Sequence, residues 1–241
     1  MIPKTIHYCA FGPAIRTAVV RRCLESWRRH LPDYAVKEWN ESNSPVDLPY
    51  CRAAVAAGRW SRLSNWVRLH ALHEEGGIYL DTDVEIIRHL DPLLAHSCFL
   101  AFQQVEEDKD WVNNAVLGAE AGHPFLARCL HETTSVFETE GQLVRSPVMT
   151  TRVLRQMGLV RYGLQRCEDV TLLPRESFYP YPWYSSFTPD CVTADTYGIH
   201  HWAASWHSGM IGRLLHNLRR ARRSLASRRL RGRDVARDFH T

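Results

Sequence analysis

The ten residues from Gly76 to Glu85, GGIYLDTDVE, constrain this chain more than any other stretch. Gly76-Gly77 ends a helical pattern, and Ile78, Tyr79 and Leu80 form a short apolar, β-prone run. Asp81 and Asp83 follow at once. Side chains two apart on a strand share a face, so the spacing predicts that both carboxylates point the same way, with Thr82 opposite. Two carboxylates crowded at a strand end repel each other unless a positive charge lies between them. A hard divalent cation with oxygen ligands, Mg²⁺ or Mn²⁺, meets that need and keeps open positions for phosphate oxygens. The competing reading is a strand end with two solvated acids in a turn.

The rest of the chain gives this strand a setting. Thr5, Ile6, Tyr8 and Phe11 mark a first strand over Ile2–Phe11. A helix over Ala14–His30 carries Val19, Val20, Cys23, Leu24 and Trp27 at helical spacing, and Tyr34–Trp39 is a second strand. Strand, helix, strand predicts a parallel sheet. One long helix is expected over Ala53–Glu75, just before the acidic strand. Further strands are expected at Phe99–Gln104 and Trp111–Gly118, and helices at His123–Glu138 and Pro147–Met157. An aromatic, proline-rich strand and loop covers Val170–Tyr184, and a compact cluster, IHHWAASW, ends the ordered pattern at Trp206. In open parallel sheets ligands bind beyond the carboxyl ends of strands, which puts Asp81 and Asp83 in a cleft.

With 241 residues the chain is long enough for one α/β domain with a full core. No run of 18 apolar residues predicts a membrane span. The N-terminus lacks the basic-then-apolar pattern of a secretory signal. Seven scattered cysteines without a Cys-x-x-Cys pair fit reduced thiols, and so a cytoplasmic protein. From Arg213 onward there are ten arginines and two aspartates, a local +8 that leaves −4 for the remainder of a chain whose net charge is +4. Leu214, Leu215, Leu218, Leu225 and Leu230 recur among the arginines at roughly helical spacing. A basic amphipathic tail over 211–241 is therefore expected beside a domain at 1–210, and it fits an anionic membrane surface.

The stretch SNWVRLHALHEEGGIYLDTDVE resembles the signature of sugar-nucleotide glycosyltransferases with a DXD motif. More closely, it resembles the family of capsular-polysaccharide-synthesis and initiating mannosyl transferases (glycosyltransferase family 32), related to the large glucosylating toxins. IPKTIHYCAFG, SWRRHLPDYAVKEWNE, NNAVLGAEAGHP, VTLLPRESFYP and IHHWAASW resemble its other blocks in order. The resemblance implies a Rossmann-like GT-A fold, a mostly parallel central sheet flanked by helices. It also implies retaining transfer of a sugar from a nucleotide donor to a saccharide or lipid-linked acceptor. Asp83 would bind Mn²⁺ or Mg²⁺, and Asp81 would share the ion or contact the donor. Arg68 would touch the donor sugar and Asn114 would line its pocket. His201, favoured over His200, would be the third metal ligand, with Ser205 and Trp206 closing over the phosphates.

Two positions depart from the family pattern. Asn65 stands where the family usually has Asp, so an amide would meet the sugar hydroxyls. Ala10 stands where the family often has Trp, so either Phe11 or another aromatic stacks on the base or base recognition is weak. Two other readings stay open. A phosphatase of the haloacid-dehalogenase type also uses an apolar strand ending in Asp-x-Asp. Alternatively, the arginine tail could carry the function by binding nucleic acid or membrane, although Phe239 is its only aromatic for base stacking.

Overall fold

A computed structural model describes residues 1–13 and 17–203. The tail at 211–241, Ser205 and Trp206 lie outside the described residues. The chain begins with β1 (Thr5–Cys9), α1 (Ala18–His30) and β2 (Ala35–Trp39), the expected strand–helix–strand order. α1 starts on Thr17, whose hydroxyl accepts from the Val20 amide, and ends in Arg28, Arg29 and His30, which complement the helix dipole.

The long helix expected over Ala53–Glu75 is two helices, α2 (Pro49–Ala56) and α3 (Trp60–Glu75). Between them Gly58 turns the chain with φ of 61°, a left-handed conformation that costs a glycine little. Next come β3 (Gly77–Leu80), β4 (Val84–Ile86), β5 (Cys98–Phe102) and β6 (Val112–Ala119). The chain continues through α4 (Pro124–Glu140), α5 (Ser146–Gln156), β7 (Gln165–Cys167), β8 (Val170–Leu173) and β9 (Gly198–His200).

Seven strands form one mixed sheet in the order β2-β1-β3-β6-β5-β8-β7. β1, β2, β3, β5 and β8 run one way, while β6 and β7 run against them. The sheet is thus mostly parallel in direction, with an antiparallel strand at its centre beside β3. Nothing in β6 itself distinguishes the two directions, because it is buried on both faces along its whole length.

The sheet separates two apolar layers. Ile6, Ile78, Leu80, Val116, Phe99 and Ala101 face Trp27, Leu31, Leu93 and Phe178. Tyr79, Leu117, Leu100, Phe102 and Leu172 face Leu69 and Leu72 of α3, Phe125 and Cys129 of α4, and Met149 and Val153 of α5. Alternation along β3 therefore sends Ile78 and Leu80 to one layer and Tyr79 to the other. Truncating either of the first two to Ala would cost about 2–5 kcal/mol. All seven cysteines are free thiols. No helix among the described residues is long and apolar enough to cross a membrane.

Candidate metal and donor site

The site is built by how α3 hands the chain to β3. Gly76 ends the helix with its amide on the Leu72 carbonyl at φ of 66°, and Gly77 continues at φ of 109°. A Cβ on Gly77 would lie 2.6 Å from the Thr5 carbonyl oxygen, so only glycine lets β3 pair this closely beside β1. The neighbouring His7, fully buried, has Nε2 2.8 Å from the Gly76 carbonyl oxygen and accepts from Trp39 Nε1 at 3.0 Å. β3 thus reaches the centre of the sheet in a fixed register, and its carboxyl end carries the two aspartates.

These aspartates do not continue the strand. The strand ends at Leu80, one further bond joins the Asp81 amide to the Ala115 carbonyl at 2.8 Å, and Asp81–Val84 is a turn closed by the Val84 amide on the Asp81 carbonyl at 2.9 Å. The carboxylates converge through this turn rather than through strand alternation. β4 leaves the turn and pairs antiparallel with β9, Val84 opposite His200. Trp27 Nε1 donates to the Val84 carbonyl at 2.8 Å and Ser26 accepts from the Ile86 amide at 2.9 Å, so α1 clamps β4 in place.

Oxygen atoms of Asp81 and Asp83 and a ring nitrogen of His200 lie within 4.8 Å of one another. His200 Nε2 is 3.2 Å from Asp83 Oδ1, with both side chains 3% exposed. Yet neither His200 nitrogen has an aligned hydrogen-bond partner. A buried imidazole with no partner, beside two carboxylates, fits a divalent cation: each group offers a lone pair to a common point.

Each carboxylate is held separately. Asp83 Oδ2 accepts from the Ala203 amide at 2.8 Å, and the Asp83 carbonyl accepts from the His201 amide at 2.9 Å. Burial pushes the Asp83 carboxyl up, but His200 and the Ala203 amide outweigh it and hold the group below its ordinary value. Asp81 Oδ1 accepts from Arg68 Nη2 at 2.8 Å and from the Tyr79 hydroxyl at 3.0 Å. Its carboxyl is pushed up, chiefly by burial, against the pull of Arg68 and with a further push from Asp83.

Arg68 is 5% exposed and enclosed by protein groups. Besides Asp81 it donates to the Asn114 carbonyl at 2.6 Å and the Ser64 carbonyl at 3.3 Å, and it lies 4.3 Å over the Tyr79 ring. Its guanidinium is turned inward onto Asp81.

The other expected residues fall as follows. His201 turns its ring away from the aspartates: Nε2 lies 2.7 Å from Glu85 Oε2 and 2.9 Å from Arg22 Nη2. The choice of His201 over His200 is therefore corrected. The register of β9 puts His200 opposite Val84 and beside Asp83, and alternation puts His201 on the other side. Phe11 is buried among Trp39, Tyr50, Leu63 and Trp66, so its ring is not free to stack on a base. Asn114 is 1% exposed. Its amide donates to Ser146 and to Thr150 Oγ1, tying β6 to α5, while its Oδ1 has no partner. Asn65 is half-buried on α3, one turn before Arg68.

Residues missed at the sequence level are Tyr79 and Glu85, which lie inside the motif itself, and Arg22 and Tyr179. Tyr179 sets its ring edge-on to His200 at 5.6 Å between centroids. The signal available for it was the run of aromatics from Phe178 to Tyr184. A second cluster, Asp33, His89 and Asp91, lies exposed on the surface and is already paired with Lys4.

The fold is that of GT-A glycosyltransferases. A solved structure described as PaToxG glycosyltransferase superposes with a TM-score of 0.53 at 16% identity, covering 64% of this chain and 69% of its own. The galactosyltransferase LgtC, solved with donor and acceptor sugar analogs, superposes with a TM-score of 0.50 at 14% identity over 83% of this chain and 87% of its own.

Residues 17–100 match the family model of the glycosyltransferase sugar-binding region containing a DXD motif, and residues 118–213 match that of the alpha 1,4-glycosyltransferase conserved region. Lactosylceramide 4-alpha-galactosyltransferase of Mus musculus is 32% identical over 152 residues, 58% of this chain and 40% of that protein. Inositol phosphoceramide mannosyltransferase 3 of Schizosaccharomyces pombe is 42% identical over 100 residues, 39% of this chain and 27% of that protein. The chain spans less than half the length of these curated relatives.

Proposed function

We propose that this chain transfers a hexose from a nucleotide-sugar donor, UDP- or GDP-linked, to a saccharide or lipid-linked acceptor, with retention at the anomeric carbon and with Mn²⁺ or Mg²⁺. The observation that carries the reading is the Asp81–Asp83–His200 cluster, with its unpartnered buried imidazole, at the carboxyl end of a central strand. Asp83 and His200 would hold the ion, and Asp81, steadied by Arg68 and Tyr79, would complete its negative side. When bound, such an ion supplies Lewis-acid stabilisation of the charge that develops on the departing nucleoside diphosphate. Asn65, half-buried and near the start of this network, is the proposed contact to the donor sugar.

Two relatives carry sphingolipid acceptors in their names, one a lactosylceramide and one an inositol phosphoceramide. This supports a glycolipid or lipid-linked saccharide as acceptor here. Membership of the capsular-polysaccharide and initiating mannosyl transferase family, and a role in surface glycan synthesis, belong to the same proposal. So does a cytoplasmic setting, with the arginine-rich residues after Arg213 resting on the inner face of an anionic membrane.

The test is nucleoside diphosphate release from a panel of UDP- and GDP-hexoses with Mn²⁺. Turnover of at least one donor, abolished reversibly by EDTA, is expected. No release from any donor, together with phosphate release from p-nitrophenyl phosphate and Mg²⁺, would favour the phosphatase reading instead.

A further inference from the structure

Most histidines that bind a metal have their orientation fixed by a hydrogen bond from the second ring nitrogen to a carboxylate or carbonyl. His200 has no such bond, since both of its nitrogens are buried and without a hydrogen-bond partner. Its Nε2 faces Asp83 Oδ1 at 3.2 Å, and behind that contact the ring is set by aromatic packing. Tyr179 meets it edge-on at 5.6 Å, and Trp202 lies against it at 4.2 Å between centroids with the ring planes tilted by 58°.

Trp202 is itself held in an unusual state. Its φ is 53°, one of two non-glycine residues at positive φ among the described residues. A bulky side chain adopts this left-handed conformation only where its surroundings enforce it, and such strain gathers at functional sites. Two contacts enforce it here. The indole Nε1 donates to the Tyr181 carbonyl at 3.0 Å. The turn made at Trp202 also delivers the next amide, that of Ala203, to Asp83 Oδ2 at 2.8 Å. The chain thus passes from His200 to Ala203 through one strained residue, with a candidate metal ligand gripped on each side of it.

We propose that Trp202 is a positioning residue of the metal site, a role that rests on the metal reading above. Its indole fixes the ring plane of His200, and its left-handed backbone aims the Ala203 N–H at the Asp83 oxygen on the far side from His200. Aromatic packing here takes the place of the usual hydrogen bond behind a metal-bound imidazole. This accounts together for the strained backbone, the buried imidazole without partners and the indole anchored to Tyr181.

The experiment is Mn²⁺ binding to the full chain, followed by loss of the free-ion electron paramagnetic resonance signal, with no donor present. Trp202→Gly keeps the turn, because glycine favours positive φ, but removes the ring. Trp202→Phe keeps a ring over His200. Losing an outer contact of this kind costs about 10- to 100-fold in metal affinity, so Trp202→Gly should weaken Mn²⁺ by roughly tenfold or more. Trp202→Phe should stay within about threefold of wild type, since a ring still packs on the imidazole. In a His200→Ala background, Trp202→Gly should add little, because its effect runs through His200. An undiminished effect in that background would mean a general structural role and would overturn the proposal. Wild-type binding with Trp202→Gly equally tight would also overturn it while leaving the metal reading intact. No Mn²⁺ binding by wild type would remove both.

Discussion

Arg68→Met tests the electrostatic frame of the site without reference to activity. The substitution leaves an apolar stem of similar length, so little cavity opens. It removes the cation that pairs with Asp81 at 2.8 Å and the donors to the Asn114 and Ser64 carbonyls. Removing one partner of a buried pair costs about 3–5 kcal/mol, because the other charge stays behind. The Asp81 side chain is 19% exposed against 6% for Arg68, so water recovers part of that loss. The lower end, about 3 kcal/mol, is the working figure. For a chain of this length each kcal/mol moves the melting midpoint by about 2–4 °C, so a fall of about 6–12 °C is expected.

Urea and thermal unfolding followed by circular dichroism measure the effect. Asp81→Asn in the Arg68→Met background should recover part of it, because the stranded charge is then gone. A loss below about 1 kcal/mol, or strict additivity of the two substitutions, would refute the view that Arg68 is there to hold Asp81.

Other consequences are separately measurable. Burial lowers the pKa of His7, so folding favours its neutral form. Its contribution is complete above about pH 6.5 and is lost as pH falls from there through the depressed folded value, at up to about 1.4 kcal/mol per pH unit. His7→Gln should flatten that part of the stability profile between pH 6.5 and 5; an unchanged slope would assign it to the other histidines. Asp83→Ala and His200→Ala should each abolish most metal-dependent turnover of donor while the protein stays folded. His201→Ala, which cuts the contacts to Glu85, Arg22 and Phe187, should retain most of it, and the reverse ranking of the two histidines would reinstate His201 as ligand. Truncation after Gly212 should abolish binding to vesicles containing anionic lipid while leaving donor hydrolysis in solution largely intact. Vesicle binding that survives truncation would dismiss the membrane role of the tail.

Much of this site is legible in the sequence because its parts are local. Gly76, Gly77 and the apolar run to Leu80 announce a helix end and a buried strand, and the acids that follow are where the carboxylates lie. Arg68 is named by its place one helix before the motif, yet its role is not, since only the fold shows that its guanidinium turns inward to Asp81. The choice between His200 and His201 depends on the register of β9 against β4, a pairing across more than a hundred residues that no local pattern encodes. The direction of β6 is hidden for the same reason: a strand buried on both faces reads alike either way. Gly58 stands in the sequence as a glycine amid helical residues, but the helical periodicity on both sides reads as one helix across it. The sequence near Ala10 offers Phe11 or another aromatic for a base, and only the packing of Phe11 beside Trp39 and Tyr50 shows that its ring belongs to the core.

The central claim is that Asp81, Asp83 and His200 form the site at which a divalent ion and the donor diphosphate meet. Anomalous diffraction from crystals grown with Mn²⁺ and a nucleoside diphosphate tests it most directly. The account predicts one strong manganese peak bonded to Asp83 and His200, with diphosphate oxygens completing its shell and Asp81 on its near side. A manganese peak only at the exposed Asp33–His89–Asp91 cluster, or diphosphate bound away from these three residues, would contradict it.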